Sequence, residues 1–393
     1  MNILFVSTDY PKRGQPTTGF PNYLYRVSLS LMQLGHHPII LVSGDRDSHR
    51  VDHGIEIRTV YVGGYGGCGL QSLSYAVNAL NKGYILNKKI KELLEKMHID
   101  VIQFTSLQGI AMFYHGNIPA VLRLSSYAKT AFPDFQTYSV TTVKLMSFFE
   151  RCSASRCNAV FAPSRKNAWI FGNDCHRKVK VIETPFVNDV QEYDNQYLDT
   201  CLKGKKYVLF FGTLYAEKGI LVIAEILKKF LGDNTDYNFV FIGNVCNING
   251  ENAAQIIRKK AGEYVSRVSI LNAMPHKQLY PVIRQADVVV LPSLMENLSN
   301  ACIEAMYFER VVVGTDGASF EQLITHGENG LLCQIGNSTD LLDKLQIAVS
   351  MTKEEKTQMG KMARQRIDRL KPEYAVKKLI ELYTYVIKNN KHN

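Results

Sequence analysis

Short apolar runs alternate with amphipathic stretches along nearly the whole chain. Runs at residues 3–6, 39–42, 55–62, 101–104, 121–124 and 159–162 are rich in Val, Ile, Leu and Phe, and helical or loop-like segments separate them. Uninterrupted apolar runs of this length suit strands buried on both faces, and their alternation with helices predicts a parallel, doubly wound α/β sheet. A second series starts at 207–211 and continues at 239–242, 268–271, 288–291, 311–313 and 331–333. Two Rossmann-like halves follow, with a boundary in the polar stretch 187–206. The pattern therefore assigns 1–187 to a first domain, 188–206 to a linker, 207–371 to a second domain and 372–393 to a terminal segment. Residues 352–370 are charged and helix-forming, Pro372 breaks that run, and 374–388 reads as one more amphipathic helix before a frayed tail at 389–393.

Composition narrows the class. A chain of 393 residues is long for one core and fits two domains. A hydrophobic share of 46% with 21% charged residues is that of a soluble globular protein. No apolar run reaches 18 residues, so no transmembrane helix is expected. The start of the chain runs straight into a strand without a signal-like apolar segment, which points to the cytoplasm. Eight cysteines are scattered without a CxxC pair. Cys152 and Cys157, the closest two, have no His at zinc spacing, so reduced, mostly buried thiols are expected.

Charge is unevenly placed. Residues 1–187 hold 21 Lys and Arg against 12 Asp and Glu, whereas 188–393 hold 25 against 24. The basic first half suits an anionic partner, and a membrane surface, a nucleic acid or plain solubility would each account for it. No RNP, zinc-finger or recognition-helix pattern favours nucleic acid. The stretch 78–97 sets Lys82, Lys88, Lys89, Lys91 and Lys96 beside Ile85, Leu86, Ile90, Leu93 and Leu94, a basic amphipathic helix that is either a packed surface helix or an interfacial one. The glycine-rich run 63–69 resembles a dinucleotide loop, but it follows the third strand rather than the first and meets no acidic residue before Glu92. An acceptor-side loop is the better reading.

The stretch 292–306, PSLMENLSNACIEAM, carries the strongest chemical signal. Glu296 and Glu304 lie eight residues apart, which in one continuous helix would separate them by about 80° and 12 Å. With Glu296 in the loop after the apolar strand 287–291 and Glu304 inside the next helix, both reach one crevice. Asn297 or Ser299 can cap that helix. Strand ends of open α/β sheets are where ligands bind, and free helix-start N–H groups attract phosphate.

Here the chain resembles a known family. Glu296 and Glu304 match the E-x7-E pattern of family 4 retaining glycosyltransferases. The surrounding Pro-Ser, Glu-Ala-Met, Ala286-Asp287, Asn329-Gly330 and the stretch 316–321 match it too. The likeness is dense over 210–332 and recognisable over the first 45 residues. It implies the GT-B fold, two Rossmann-like doubly wound domains facing a central cleft, with acceptor binding in the first and donor binding in the second, and a last helix crossing back onto the first. It further implies a nucleotide-diphosphate sugar as co-substrate, no cofactor and no required metal. The acceptor would be a hydroxyl on a growing or lipid-linked bacterial surface glycan at the inner membrane face, with no role for nucleic acid.

By the same resemblance Glu304 holds the donor ribose, Glu296 approaches the donor sugar and Lys218 the diphosphate. Helix-start N–H groups at Leu298 and Ser299, beside Asn297, share the phosphate charge. Gly212-Thr213 occupies the family's Gly-Arg position, so a hydroxyl stands where relatives carry a bidentate cation. His276 lies in the loop that contacts the nucleotide base in relatives, and reads more readily as a cap or surface residue than as a catalyst. Glu321 either caps its helix or touches the donor side. Gly19 fits the family's Gly-rich loop, although Phe20 replaces its second glycine. Arg123 follows a strand and suits either an anion or a buried ion pair, while Ser125 stands where many relatives have a sugar-positioning His. Thr213 and Ser125 keep open a degenerate, non-catalytic partner subunit, and the fold also serves nucleotide-sugar epimerases.

Overall fold

The central strands form where the chain is apolar on both faces. The computed structural model describes residues 1–11, 20–64, 71–131, 138–188 and 190–390. Contacts divide them into two units, one comprising the described residues up to Pro185 together with those from Pro372 onward, the other Phe186–Lys371.

The first unit is built on an eight-stranded sheet. Its strands are β1 (Asn2–Ser7), β2 (His37–Gly44), β3 (Ser48–Asp52), β4 (Ile55–Tyr61), β5 (Val101–Thr105), β6 (Ala120–Arg123), β7 (Ala159–Ala162) and β8 (Val179–Val181). Their order is β3-β4-β2-β1-β5-β6-β7-β8, parallel throughout except for β3, which pairs antiparallel with β4. Strand β3 is a polar, exposed edge absent from the apolar pattern, and β8 is too short to register in it. Helices α1 (Phe20–Gln33), α2 (Gln71–Leu94), α3 (Ala128–Ala131), α4 (Val140–Ser155) and α5 (Arg165–Cys175) connect the strands. Helix α2 thus starts seven residues earlier than its apolar stripe suggests. Strand residues alternate between two cores. Leu4, Val6 and Leu122 share one with Leu86 of α2, Ala154 of α4 and Phe171 of α5, whereas Ile3, Phe5 and Val121 share the other with α1 and the C-terminal helix.

The second unit has a six-stranded parallel sheet of β9 (Lys206–Phe211), β10 (Tyr237–Ile242), β13 (Val268–Leu271), β14 (Val288–Leu291), β15 (Val311–Asp316) and β16 (Leu331–Gln334). The small antiparallel pair β11 (Asn247–Ile248) and β12 (Glu251–Asn252) lies between β10 and β13 in the chain. The large sheet runs β13-β10-β9-β14-β15-β16, so chain direction across the sheet reverses between β9 and β14. Helices α6 (Ile220–Asp233), α7 (Ala253–Ala261), α8 (His276–Gln285), α9 (Asn300–Tyr307), α10 (Ser338–Ser350) and α11 (Lys353–Asp368) complete it. Pro372 opens the last helix, α12 (Pro372–Asn390), rather than only ending the one before, as suits a residue whose missing N–H is unneeded in a first helical turn. Helix α12 packs in the first unit, where Val376, Leu379, Leu382, Tyr383 and Val386 are buried and the Tyr383 hydroxyl donates to Gln103 Oε1 at 2.6 Å.

Candidate active site

Parallel sheets place their ligand crevice where the strand order reverses, beyond the carboxyl ends of the two strands involved. In the second unit these are β9 and β14, paired through Val208–Val288 and Leu209–Val289. Gly212-Thr213 leaves β9, and a short 3₁₀ turn, Ala216–Lys218, then leads into α6. Pro292–Glu296 leaves β14.

Two glycines hold these loops together. Gly219 has φ +76°, and a Cβ there would lie 2.0 Å from the Pro292 carbonyl oxygen. Gly243, after β10, approaches Gly212 so closely that a Cβ would lie 1.8 Å from the Gly212 carbonyl oxygen. The Leu294 N–H also donates to the Glu217 carbonyl at 2.8 Å. The result brings Lys218 Nζ to 2.5 Å from Glu296 Oε1, which also accepts from Ser293 Oγ at 3.1 Å. Glu296 is 13% exposed and Lys218 35%, so the pair is shielded on the carboxylate side and open on the ammonium side. Oε2 of the neighbouring Glu217 is buried with no hydrogen-bond partner among the described residues, an acceptor that costs free energy until something satisfies it.

The helix after β14 begins at Asn300, capped by Ser299, whose Oγ accepts from the Cys302 N–H at 3.3 Å. Of the two caps the sequence offered, Asn297 and Ser299, the structure uses Ser299. Leu298 lies before the cap, and the N–H groups left without an intrahelical or capping acceptor in the helix are those of Ser299, Asn300 and Ala301. Asn297 lies in the preceding loop and is not the cap. Glu304 is the fifth helical residue, little more than one turn in, and its side chain is 6% exposed. His276 opens α8 after Pro275 and lies flat on Tyr280, with ring centroids 4.8 Å apart and planes 12° apart. Its Nε2 is 3.6 Å from Glu304 Oε1, too long for a hydrogen bond. His276 therefore borders Glu304 without capping its helix. Burial, and Glu296 nearby, push the Cys302 thiol up, so it stays a protonated core residue.

Other expected residues are placed elsewhere or differently. Glu321 is the exposed middle residue of a 3₁₀ turn, Phe320–Gln322, whose two other residues are buried and which has no side-chain cap, so the capping reading falls. Thr213 is half-buried in the loop after β9. Gly19 lies outside the described residues, as does most of the 63–69 loop. In the first unit Arg123 is buried, its guanidinium carbon 3.8 Å from the Tyr23 ring centroid, and it donates to Ser125 Oγ at 3.1 Å and Thr184 Oγ1 at 3.3 Å. Packing thus takes Arg123 away from the anion-binding reading. Ser125 Oγ also lies 2.8 Å from Thr105 Oγ1, joining the ends of β5 and β6. Ser293, Gly219 and Tyr280 were not foreseen as part of the site. Gly219 had a signal, since a glycine directly before an apolar helix marks a chain approach that no side chain permits. No group of three or more His, Cys, Asp or Glu that could hold a metal occurs among the described residues.

Comparison with known proteins bears on the family and the fold. Residues 200–366 match the family described as "Glycosyl transferases group 1". The chain is 27% identical over 147 residues to the 2-deoxystreptamine N-acetyl-D-glucosaminyltransferase of Niallia circulans, a match covering 37% of each protein. The chain thus spans little more than a third of that relative's length in the match. The fold is GT-B. The sucrose-phosphate synthase of Thermosynechococcus elongatus superposes with a TM-score of 0.77 at 14% identity, covering 99% of both chains. Anabaena Alr3699/HepE, in complex with UDP and glucose, superposes with a TM-score of 0.70 at 15% identity, covering 98% of this chain and 100% of that one.

Proposed function

We propose that this chain, whose residues 200–366 belong to glycosyl transferases group 1, is a retaining glycosyltransferase. It moves a sugar from a nucleotide-diphosphate donor to a hydroxyl on a growing or lipid-linked surface glycan. The observation that carries this reading is the Lys218–Glu296 pair at the β9–β14 reversal, with the start of α9 and Glu304 beside it in the chain.

Each residue then has a task its chemistry fits. Glu304, acceptor-only when ionised, takes both hydroxyls of the donor ribose. Lys218 exchanges its Glu296 contact for the donor diphosphate, and the Asn300 and Ala301 N–H groups add the positive end of the helix dipole. Thr213 supplies one further hydrogen bond there. Glu296, released from Lys218 but still held by Ser293, faces the donor sugar, and Glu217 Oε2 accepts from a donor hydroxyl. Charge builds on the leaving diphosphate in the transition state, so fixed donors aimed at it lower the barrier more than they tighten ground-state binding. The diphosphate oxygen takes the proton of the acceptor hydroxyl on the same face of the sugar, which retains the anomeric configuration without an enzyme nucleophile. No metal is needed, because Lys218 and the helix start carry the phosphate charge.

A second reading rests on Thr213. Without the bidentate cation of relatives, the chain would bind a donor or a partner without turnover. Donor hydrolysis by the purified chain sinks that alternative. The primary test is thermal stabilisation across UDP-, GDP-, ADP-, CMP- and TDP-sugars, repeated with Glu304→Ala. A donor at about 100 times its Kd adds about 2.7 kcal/mol. A shift selective for one base and lost in the variant supports the donor site. No shift with any donor at millimolar concentration refutes it.

A further inference from the structure

We propose that the outer face of α2, α4 and α5 docks the first unit onto an anionic lipid surface. All three helices cover the same face of the eight-stranded sheet, since Leu86, Ala154 and Phe171 share one core cluster, and α2 packs directly on α4. Their opposite sides face water, where buried-core logic predicts polar residues. Instead they present Leu73, Leu80, Tyr84, Val140, Phe148 and Trp169, six of the eleven exposed large apolar residues among the described residues of the first unit. Trp169, the only tryptophan in the chain, is 70% exposed.

Cations are interleaved with these side chains at helical spacing. Leu80, Tyr84, Lys88 and Lys91 fall on one stripe of α2, and Lys144, Phe148 and Arg151 on one stripe of α4, all of them exposed. Across the three helices eight Lys and Arg stand against three acids. Glu150 is buried, Asp174 accepts from Tyr127 and Lys129, and Glu92 is tied to Lys89. Trp169 also edges a shallow hollow of about 520 Å³ with Asn173, His176 and Arg177, a polar rim suited to a headgroup. Isolated exposed apolar residues need no explanation, but a layer of them mixed with exposed cations is the composition of an interfacial surface. Aromatic rings with polar edges settle at the headgroup boundary, and cations beside them add about 1 kcal/mol each on an anionic leaflet. The inference takes its setting from the lipid-linked acceptor proposed above, but rests on residues outside the donor site.

The test is sedimentation of the full chain with vesicles of phosphatidylcholine alone or with phosphatidylglycerol added, with Trp169 emission read on the same samples. Docking predicts pelleting only with the anionic vesicles and a blue-shifted emission. Lys88→Gln, Lys91→Gln and Lys144→Gln together should weaken binding roughly a hundredfold, from about 1 kcal/mol per cation. Donor-induced stabilisation of this triple variant without vesicles must match the unaltered chain, which separates lost docking from lost folding. Equal pelleting with neutral vesicles, none with either, or pelleting with unchanged Trp169 emission each overturns the proposal. If docking fails while donors still stabilise the chain, the transferase reading stands alone. If vesicles bind and no donor does, the docking face stands and the transferase reading falls.

Discussion

Replacing Gly219 by alanine tests the closure that makes the site. Two costs apply. An L-residue at φ +76° sits in the left-handed region, which costs roughly 1–2 kcal/mol. The new Cβ would also lie 2.0 Å from the Pro292 carbonyl oxygen, where ordinary contact begins near 3.4 Å, so the loop after β14 must retreat by about 1.4 Å. Overpacking of this kind costs about 1–3 kcal/mol. The sum is about 3 kcal/mol, or roughly 9 °C in the melting temperature of a unit this size. Gly204→Ala is the control, because Gly204 has φ +70° with nothing within 4 Å of its would-be Cβ and should lose only about 1 kcal/mol. Because Glu296 lies four residues after Pro292, the same retreat parts it from Lys218. A misplacement near 1 Å in a catalytic site can cost about a hundredfold in rate. Melting curves of the two variants, followed by donor titration and turnover, measure both effects. Equal destabilisation by the two substitutions, or a Gly219→Ala protein with unaltered donor affinity and turnover, would refute the claim that the close approach sets the site.

Two further outcomes follow from titrating groups. Burial raises the Glu150 carboxyl to about 8, although Oε2 accepts from the Ala128 N–H at 3.0 Å. The folded chain then holds a proton that the unfolded chain has released, so this group makes stability fall as pH rises from about 4.5 to 8 and level off above. Glu150→Gln should flatten that slope and raise the melting temperature at pH 8; an unchanged slope would show that Glu150 is not its source. The Cys201 thiol is exposed and held below its usual range, mainly by its contact with Thr200, while burial pushes Cys157 up to about 12 and Cys333 up to about 11. Iodoacetamide at pH 7.5 should therefore modify Cys201 well before the other two by peptide mass spectrometry, and equal rates would contradict the burial described.

The fold was legible wherever burial on both faces leaves an uninterrupted apolar run, as in Val288–Leu291, all four residues buried. It was illegible where a strand exists only by virtue of its neighbour. Ser48–Asp52 is polar and exposed, and its identity comes from pairing with Ile55–Tyr61. The site divides in the same way. Spacing brought Glu296, Glu304 and Lys218 to notice, because short-range pattern reports which loops leave which strands. The cap at Ser299, the Ser293 contact and the Tyr280 ring beneath His276 depend on where a helix begins and which side chains turn inward, which local pattern defines only to within a residue or two. Arg123 shows the same limit. A cation after a strand suits either an anion or a buried structural role, and it takes the Tyr23 ring, brought from another element, to show that this one is packed inside.

Helix α12 orders the birth of the molecule. The first unit begins with β1 yet draws Val376, Leu379 and Tyr383 into the same core as Ile3 and Phe5, while the second unit is one continuous stretch of chain. On the ribosome the second unit has all its parts while the first still lacks α12, and exposes the sheet face that α12 will cover. The half made first is thus finished last, and in the interval its unfilled core is open to chaperones and proteases.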